Sequence, residues 1–212
     1  MVKRSEVPRD RYYRAAKQSG YRSRSAYKLL QLIEKFQLIK AGDVVVDLGA
    51  APGGWSQVAL EQVSERGLVV SVDLQPIARL DAVLTIEGDI TNDEETVPAI
   101  KKALAAHGRA AADVVISDAA PHLTGTKDYD QFRSFELSMA ALRIAAAVLK
   151  PGGHFAAKIF QGSYYPQFYE AVRARFGETR ASAPDATRKR SAEMYVVGKG
   201  YKGSFIGTLP LS

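Results

Sequence analysis

The sequence predicts a single α/β domain in which a parallel sheet is covered by helices on both faces. Short, continuous apolar segments alternate along the chain with longer segments of helical periodicity. Turns rich in glycine and acidic residues follow several of the apolar segments. The 212-residue chain, with 46% hydrophobic and 25% charged residues, has the size and composition of one globular domain. These three observations favour a doubly covered parallel sheet.

The order of the predicted elements follows from these patterns. In the region 24–37, Ala26, Leu29, Leu30 and Ile33 recur at helical spacing and predict the first helix. The β-branched run at 43–48 predicts the first buried strand. Further strands are expected at 68–72, 83–86, 114–117, 154–159 and 194–197, and further helices at 54–63, 94–106, 132–149 and 165–176. The Lys-Pro-Gly-Gly sequence at 150–153 predicts a helix stop and a turn.

Positive charge is concentrated at the start of the chain. Residues 1–40 contain 11 Lys/Arg and 3 Asp/Glu, a net charge of +8, whereas the remainder contains 18 Lys/Arg and 20 Asp/Glu, a net charge of −2. A basic segment interleaved with aromatic residues is typical of a nucleic-acid-binding surface, and a solvated arm is the alternative interpretation. The candidate phosphate ligands are Arg9, Arg11, Arg14, Arg22, Arg24, Arg188, Lys189 and Arg190, and the interleaved aromatics are Tyr12, Tyr13, Tyr21 and Tyr27.

Several classes of protein are excluded or disfavoured by composition. The chain has no cysteine, which excludes disulfides, thiolate nucleophiles and thiolate-bound metal clusters. Its three histidines lie far apart and show no metal-ligand spacing, so we expect no metal site. The basic start is not followed by an apolar segment, and no run is long enough to span a membrane. We therefore expect a cytoplasmic protein that does not enter a membrane.

A glycine-rich loop follows the first predicted strand and predicts a cofactor site. The sequence DLGAAPGGW, at 47–55, leads directly into a predicted helix, the position at which doubly wound sheets bind ligands. Its spacing matches neither the dinucleotide-binding GxGxxG pattern nor the P-loop pattern. The candidate ligands in this loop are Asp47, Gly49, Ala50 and Pro52.

Acidic residues also end the next two predicted strands. Asp73 is placed to accept hydrogen bonds from ribose hydroxyls, and Asp89 to accept one from an adenine amino group that Ile90 packs against. An acidic pocket suits a cofactor that carries a sulfonium and an ammonium, and it would repel a pyrophosphate. Strand-end aspartates also commonly cap helices or turns, but their recurrence in consecutive β–α units favours S-adenosylmethionine as the cofactor.

Five short motifs together resemble the FtsJ/RrmJ family of ribose 2′-O-methyltransferases. They are SRSAYKL at 23–29, DLGAAPGGW at 47–55, SDAAP at 117–121, AKIFQG at 157–162 and SAEMY at 191–195, in the family's order. The resemblance extends from about residue 11 to about residue 202. It implies a Rossmann-like S-adenosylmethionine methyltransferase fold with a mostly parallel seven-stranded sheet. It also implies cofactor-binding roles for Gly53, Trp55, Asp73, Asp89 and Asp118.

The resemblance further implies a catalytic tetrad of Lys28, Asp118, Lys158 and Glu193, one residue in each matching motif. An alcohol is a poor nucleophile that must lose its proton during or after attack, so Lys158 is the candidate to receive that proton or to stabilise the developing alkoxide. Two ordinary salt bridges at the rim of the sheet are the alternative interpretation of these four residues.

The nature of the methyl acceptor follows from the same motifs. The absence of cysteine excludes C5-pyrimidine chemistry, and the Asp-Ala-Ala-Pro loop at 118–121 lacks the residues typical of amine methyltransferases. The resemblance implies a uridine ribose of large-subunit ribosomal RNA as the acceptor. The formal charge of the chain favours a monomer. Transfer RNA or another RNA, a non-catalytic ribosome-assembly factor and a small-molecule methyltransferase remain alternatives. Tyr164 and Tyr165 are candidates either to stack on the target nucleotide or to pack at the start of a helix.

Overall fold

The structure, a computed structural model, describes residues 11–187 and 191–203. Four of the predicted RNA-binding residues, Arg9, Arg188, Lys189 and Arg190, lie outside the described residues. Within the described part of the chain, no helix is long and apolar enough to cross a membrane.

Seven strands form one sheet in the order β3-β2-β1-β4-β5-β7-β6. The first five strands are parallel to one another, and β7 runs antiparallel to both of its neighbours, β5 and β6. The strands are β1 Val44–Leu48, β2 Leu68–Asp73, β3 Val83–Glu87, β4 Ala112–Ser117, β5 Leu149–Phe160, β6 Phe176–Ser182 and β7 Glu193–Tyr201. The mostly parallel seven-stranded sheet that the sequence motifs imply is thereby confirmed.

Six helices are described, and they cover the two faces of the sheet. They are α1 Arg11–Gln18, α2 Ala26–Phe36, α3 Gly54–Val63, α4 Asp93–Ala106, α5 Lys127–Val148 and α6 Tyr165–Arg175. Apolar side chains of α2 and α3 pack in one buried cluster, and those of α4, α5 and α6 pack in another.

The strands supply both clusters because successive side chains of a strand point to opposite faces. In β1, Val45 belongs to the cluster of α2 and α3, whereas Val44 and Val46 belong to the cluster of α4, α5 and α6. A strand that is buried on both faces has no polar side, which explains why β1 is a continuous valine run in the sequence.

Two elements were not predicted, and several boundaries differ. Strand β6 was not predicted, since its sequence FGETRAS is mostly polar, and only its first residue fell within the helix predicted at 165–176. Helix α1 was missed because Ala16 is its single buried residue. Helix α5 begins at Lys127 rather than at 132. The predicted turn at 150–153 is part of β5, where it forms an irregularity that moves the partner of β4 from Leu149 to His154.

Candidate active site

The candidate site lies where the order of strands reverses. Strand β1 is followed in sequence by β2 and β3 on one side, and β4 pairs with its other side. In such sheets the crevice outside the carboxyl ends of the two central strands is the usual ligand site. A cavity of about 560 Å³ opens at this position.

Three carboxylates line this cavity together with an apolar side chain. Asp73, Asp89 and Asp118 follow β2, β3 and β4, and Ile90 lies beside them. The Asp73 carboxylate is held by the backbone, because Oδ2 accepts a hydrogen bond from the Ala51 N–H at 2.9 Å and Oδ1 accepts one from the Gln75 N–H at 2.8 Å. The cavity is therefore acidic and has at least one fixed carboxylate.

Gly49 allows two loops to meet at the floor of the cavity. It has φ +71°, and a Cβ at this position would lie 2.6 Å from Cβ of Ala119. That separation is far below a carbon–carbon contact, so a side chain here would push apart the loops that follow β1 and β4. The glycine is required both by its backbone conformation and by the space.

Asp47 is a fully buried carboxyl beneath the cavity. Its Oδ2 accepts a hydrogen bond from the Ser56 hydroxyl at 2.7 Å, and Ser56 in turn contacts the Ser71 hydroxyl at 2.8 Å. Its Oδ1 has no hydrogen-bond partner among the described residues. Burial, supplemented by repulsion from Asp118 and Asp73, raises the pKa of Asp47 to about 7, although the Ser56 hydrogen bond opposes the shift.

These features fit S-adenosylmethionine. Its sulfonium and ammonium are positive, and the three carboxylates that line the cavity favour positive charge. The adenosine part can use Asp73, Asp89 and Ile90. Of the predicted cofactor residues, all of which are described, Gly49, Asp73, Asp89, Ile90 and Asp118 line the cavity, whereas Asp47, Ala50, Pro52, Gly53 and Trp55 lie outside its lining.

The four residues of the predicted tetrad form two ion pairs. The Lys158 ammonium lies 3.0 Å from Oδ1 of Asp118 and donates a hydrogen bond to the Asp118 carbonyl oxygen at 2.7 Å. The Lys28 ammonium donates to Oε2 of Glu193 at 2.7 Å. Both lysine side chains are almost completely buried, at 5% and 4% exposure, which is rare for lysine unless it is paired.

Tyr195 joins the two pairs and was missed in the sequence. Its hydroxyl donates to Oδ1 of Asp118 at 2.6 Å, and the Lys28 ammonium lies 5.8 Å from the centre of its ring. Burial and the Asp118 carboxylate raise the pKa of Tyr195 well above its ordinary value, so the hydroxyl stays a donor. Strand periodicity was the available signal, because Tyr195 is two residues after Glu193 in β7 and therefore shares its face.

Trp55 lies in α3, the helix that follows the cofactor loop, and connects this helix to the tetrad. Its ring stacks on Tyr195 with centroids 5.7 Å apart, and its indole N–H donates to the Ser25 carbonyl oxygen at 2.8 Å. Trp55 is 2% exposed. In this geometry the cofactor role predicted for Trp55 is therefore indirect, because the buried ring packs on Tyr195 and hydrogen-bonds to the residue that precedes α2.

The predicted RNA-binding residues are placed differently from one another. Arg11 is exposed and stacks on Tyr12, with its guanidinium carbon 4.7 Å from the ring centre. Arg22 donates instead to three backbone carbonyl oxygens within the protein. Tyr164 packs against Phe132 and Phe135, with ring centroids 5.5 and 5.4 Å away, so it also contributes to packing at the start of α6.

The strand order, the acidic cavity and the paired lysines define an S-adenosylmethionine-dependent methyltransferase. The model of the FtsJ-like methyltransferase family matches residues 21–201, and the chain belongs to that family. The resemblance noted in the sequence motifs is thus confirmed.

Comparisons with individual proteins agree with this assignment. The chain is 54% identical to ribosomal RNA large subunit methyltransferase E of Methanothrix thermoacetophila, over 90% of this chain and 72% of the relative. It is 49% identical to the protein of that name from Methanothermobacter thermautotrophicus, over 94% and 93% of the two chains. A solved structure described as a ribosomal RNA methyltransferase of Plasmodium falciparum aligns with TM-score 0.77 and 26% identity, covering 87% of this chain and 100% of that one. Aeropyrum pernix fibrillarin, with bound S-adenosylmethionine, shares the fold at TM-score 0.56 and 17% identity, covering 84% of this chain and 75% of that one.

Proposed function

We propose that this enzyme transfers the methyl group of S-adenosylmethionine to the ribose 2′-hydroxyl of a uridine in large-subunit ribosomal RNA. The observation that carries the proposal is the buried pair of Lys158 and Asp118, which lies at the edge of the cofactor cavity. The names of the relatives support the choice of ribosomal RNA.

The cofactor supplies an electrophilic methyl group on a positively charged sulfur. As the new oxygen–carbon bond forms and the sulfur–carbon bond breaks, the bonding electron pair stays on sulfur and the 2′-hydroxyl releases its proton, which in our proposal passes to solvent water. A lysine ammonium has three N–H donors, of which Lys158 directs one to the Asp118 carbonyl oxygen while the ammonium forms an ion pair with Oδ1. A remaining N–H is directed in our proposal to the 2′-oxygen, where it stabilises the developing negative charge.

Asp118 acts in this proposal by orienting Lys158. Its Oδ1 interacts with both the Lys158 ammonium and the Tyr195 hydroxyl, at 3.0 and 2.6 Å. Two fixed partners hold the carboxylate in one orientation, and the carboxylate holds the ammonium. Such preorganisation matters because in-line methyl transfer depends on the placement of the attacking oxygen.

The RNA-binding surface is proposed to be the basic segment 1–40, which forms an extension of a single methyltransferase domain. Within its described part we retain Arg11, Arg14 and Arg24 as phosphate ligands, and Arg9 and 188–190 remain predictions outside the described residues. Because phosphate contacts release counterions, binding through this segment should weaken as salt rises. A monomer acting in the cytoplasm on the large ribosomal subunit completes the proposal.

The test measures methylation of a defined substrate. Purified enzyme and methyl-labelled S-adenosylmethionine are incubated with undermethylated large ribosomal subunits, and the label is located by nuclease digestion and mass spectrometry. We expect one labelled uridine ribose, lost in Lys158→Ala while cofactor affinity is retained. Lys199→Ala is the matched control, because Lys199 also donates to a backbone carbonyl, that of Phe36 at 2.8 Å, but lies outside the site.

The possible outcomes separate the alternatives. Label on transfer RNA but not on large subunits would replace the proposed substrate while leaving the reaction intact. Cofactor binding without methylation of any RNA would indicate a ribosome-assembly factor that has kept the fold. Activity of Lys158→Ala within a few-fold of the wild type would refute the role of this residue.

A further inference from the structure

Arg22 lies beside the cofactor cavity, and its guanidinium is held by backbone carbonyls of two different loops. One N–H donates to the Pro52 carbonyl oxygen at 3.1 Å, in the loop between β1 and α3. Two more donate to the carbonyl oxygens of Ala78 at 2.6 Å and Arg79 at 2.8 Å, in the loop between β2 and β3. These contacts join segments that are 30 and 57 residues away from Arg22 in sequence.

Both loops shape the cofactor cavity. The loop between β1 and α3 contributes Gly49 and Ala51 to its lining. The loop that follows β2 contributes Leu74 and Gln75, directly after the Asp73 carboxylate. A residue that fixes the separation of these loops therefore fixes the width of the cavity on this side.

The surrounding residues leave space for this contact. A Cβ on Gly53 would lie 2.8 Å from a guanidinium nitrogen of Arg22 and 3.2 Å from a methyl group of Leu80. A Cβ on Gly54 would lie 2.2 Å from the Ser23 hydroxyl. The two adjacent glycines of the cofactor loop thus let the segment around Arg22 approach the backbone closely.

The segment that carries Arg22 is also fixed to helix α3. The Arg22 N–H donates to the side-chain oxygen of Gln57 at 2.8 Å, and the Gln57 amide donates to the Gly20 carbonyl oxygen at 3.1 Å. The Tyr21 hydroxyl donates to Glu61 at 2.7 Å. The N-terminal segment therefore packs against the helix that follows the cofactor loop, as well as leading to Lys28.

We propose that Arg22 is a positioning residue for the cofactor: its guanidinium holds the two loops at the spacing that the cofactor requires. Arginine suits this role because its planar group presents several donors in a fixed arrangement, which one lysine ammonium cannot reproduce. The sequence-based assignment of Arg22 to RNA phosphates is replaced by a role inside the protein. Docking of the N-terminal segment and cofactor binding are consequently linked, and the linkage is reciprocal.

The first test measures cofactor affinity by calorimetry with S-adenosylmethionine and with S-adenosylhomocysteine. We expect Arg22→Ala to raise both dissociation constants at least tenfold, Arg22→Lys to recover part of the loss, and kcat at saturating cofactor and RNA to stay within about threefold of the wild type. Arg109→Ala is the matched control, since Arg109 also donates to a backbone carbonyl, that of Arg66 at 2.6 Å, but this contact lies between α3 and β2 and touches neither of the two loops that Arg22 joins. Unchanged cofactor affinity in a folded Arg22→Ala protein would overturn the proposal.

A second test uses the unaltered protein and does not depend on whether a variant folds. If the Arg22 contacts and the cofactor stabilise each other, saturating S-adenosylmethionine should slow trypsin cleavage after Arg22 at least tenfold relative to cleavage after Lys102 on α4. Equal protection at both positions would contradict the linkage. The inference rests on the cofactor and not on the identity of the RNA, so both tests remain decisive if ribosomal RNA proves to be the wrong substrate.

Discussion

The buried Asp47 carboxyl should make the stability of this protein depend on pH. Its pKa is raised from 3.8 to about 7 in the folded protein, mainly by burial. Between these two values the unfolded chain has released the proton and the folded chain retains it. Because the unfolded state then binds fewer protons, the free energy of unfolding falls as pH rises through this window.

The size of the effect follows from the shift. Each pKa unit corresponds to about 1.4 kcal/mol, so a shift of about three units destabilises the fold by about 4 kcal/mol once the pH exceeds the folded pKa. Part of this loss occurs below pH 5, because it begins near the unfolded pKa of 3.8. Between pH 5 and pH 7 we expect a loss of about 2 kcal/mol from this one group.

Asp47→Asn isolates the contribution of this carboxyl. The amide has nearly the same shape, and its oxygen can still accept from Ser56, but it does not titrate. The amide nitrogen then lies where Oδ1 has no partner, which adds a penalty of about 1–3 kcal/mol that is independent of pH. The difference in the free energy of unfolding between the variant and the wild type should therefore change with pH.

The assay is chemical denaturation of both proteins, without cofactor, at pH 5, 6, 7 and 8. Between pH 5 and pH 7 the free energy of unfolding should fall by about 2 kcal/mol more in the wild type than in Asp47→Asn. Comparing the two proteins cancels the contributions of groups that titrate alike in both. Parallel stability curves would show that Asp47 does not titrate in this range and would refute the reasoning.

Three further predictions concern the site. Tyr195→Phe removes the 2.6 Å hydrogen bond to Asp118 and should lower kcat/KM about 10- to 100-fold with cofactor affinity unchanged, measured by steady-state kinetics and calorimetry. Gly49→Ala should abolish cofactor binding in calorimetry, whereas Gly108→Ala, which has a similar positive φ of +68° but no neighbour within 4 Å, should only reduce stability. Asp118→Asn should lower kcat at saturating RNA, whereas the matched Glu193→Gln should mainly raise the KM for RNA; equal losses of kcat would contradict the division of roles.

The elements most predictable from the sequence were those buried on both faces. Strand β1 begins with three valines, and its complete burial favours a strand. The next helix begins at Gly54, as predicted. Strand β6 could not be recognised, because only every third of its residues is buried and its polar sequence follows a helix directly. Its structure depends on pairing with β7, the next strand in the chain, and the sequence of β6 itself does not encode that pairing.

The sequence predicted which residues form the site but not which of them contact one another. The motifs supplied Lys28, Asp118, Lys158 and Glu193 as a set, and the structure divides them into pairs. Pairing depends on how α2 packs across the sheet toward β7, a long-range arrangement that local pattern does not encode. Arg22 shows the same limit, since a basic residue among basic neighbours resembles a phosphate ligand until the carbonyl groups around it are known.

The division into pairs has a chemical consequence. Asp118, the partner of Lys158, lines the cofactor cavity, and this pair is held by the buried hydroxyl of Tyr195, so it is fixed before substrate arrives. The pair of Lys28 and Glu193 includes a carboxylate that is 19% exposed, and Lys28 belongs to the helix that continues the basic segment. A fixed pair suits the stabilisation of charge at the reacting oxygen, because preorganised groups need no rearrangement as charge develops. A partly exposed pair whose lysine lies in the segment proposed to bind RNA suits the placement of the ribose. The proposed reaction therefore needs both pairs, one for each task. Tyr195 contacts both pairs and holds them in a fixed relative position.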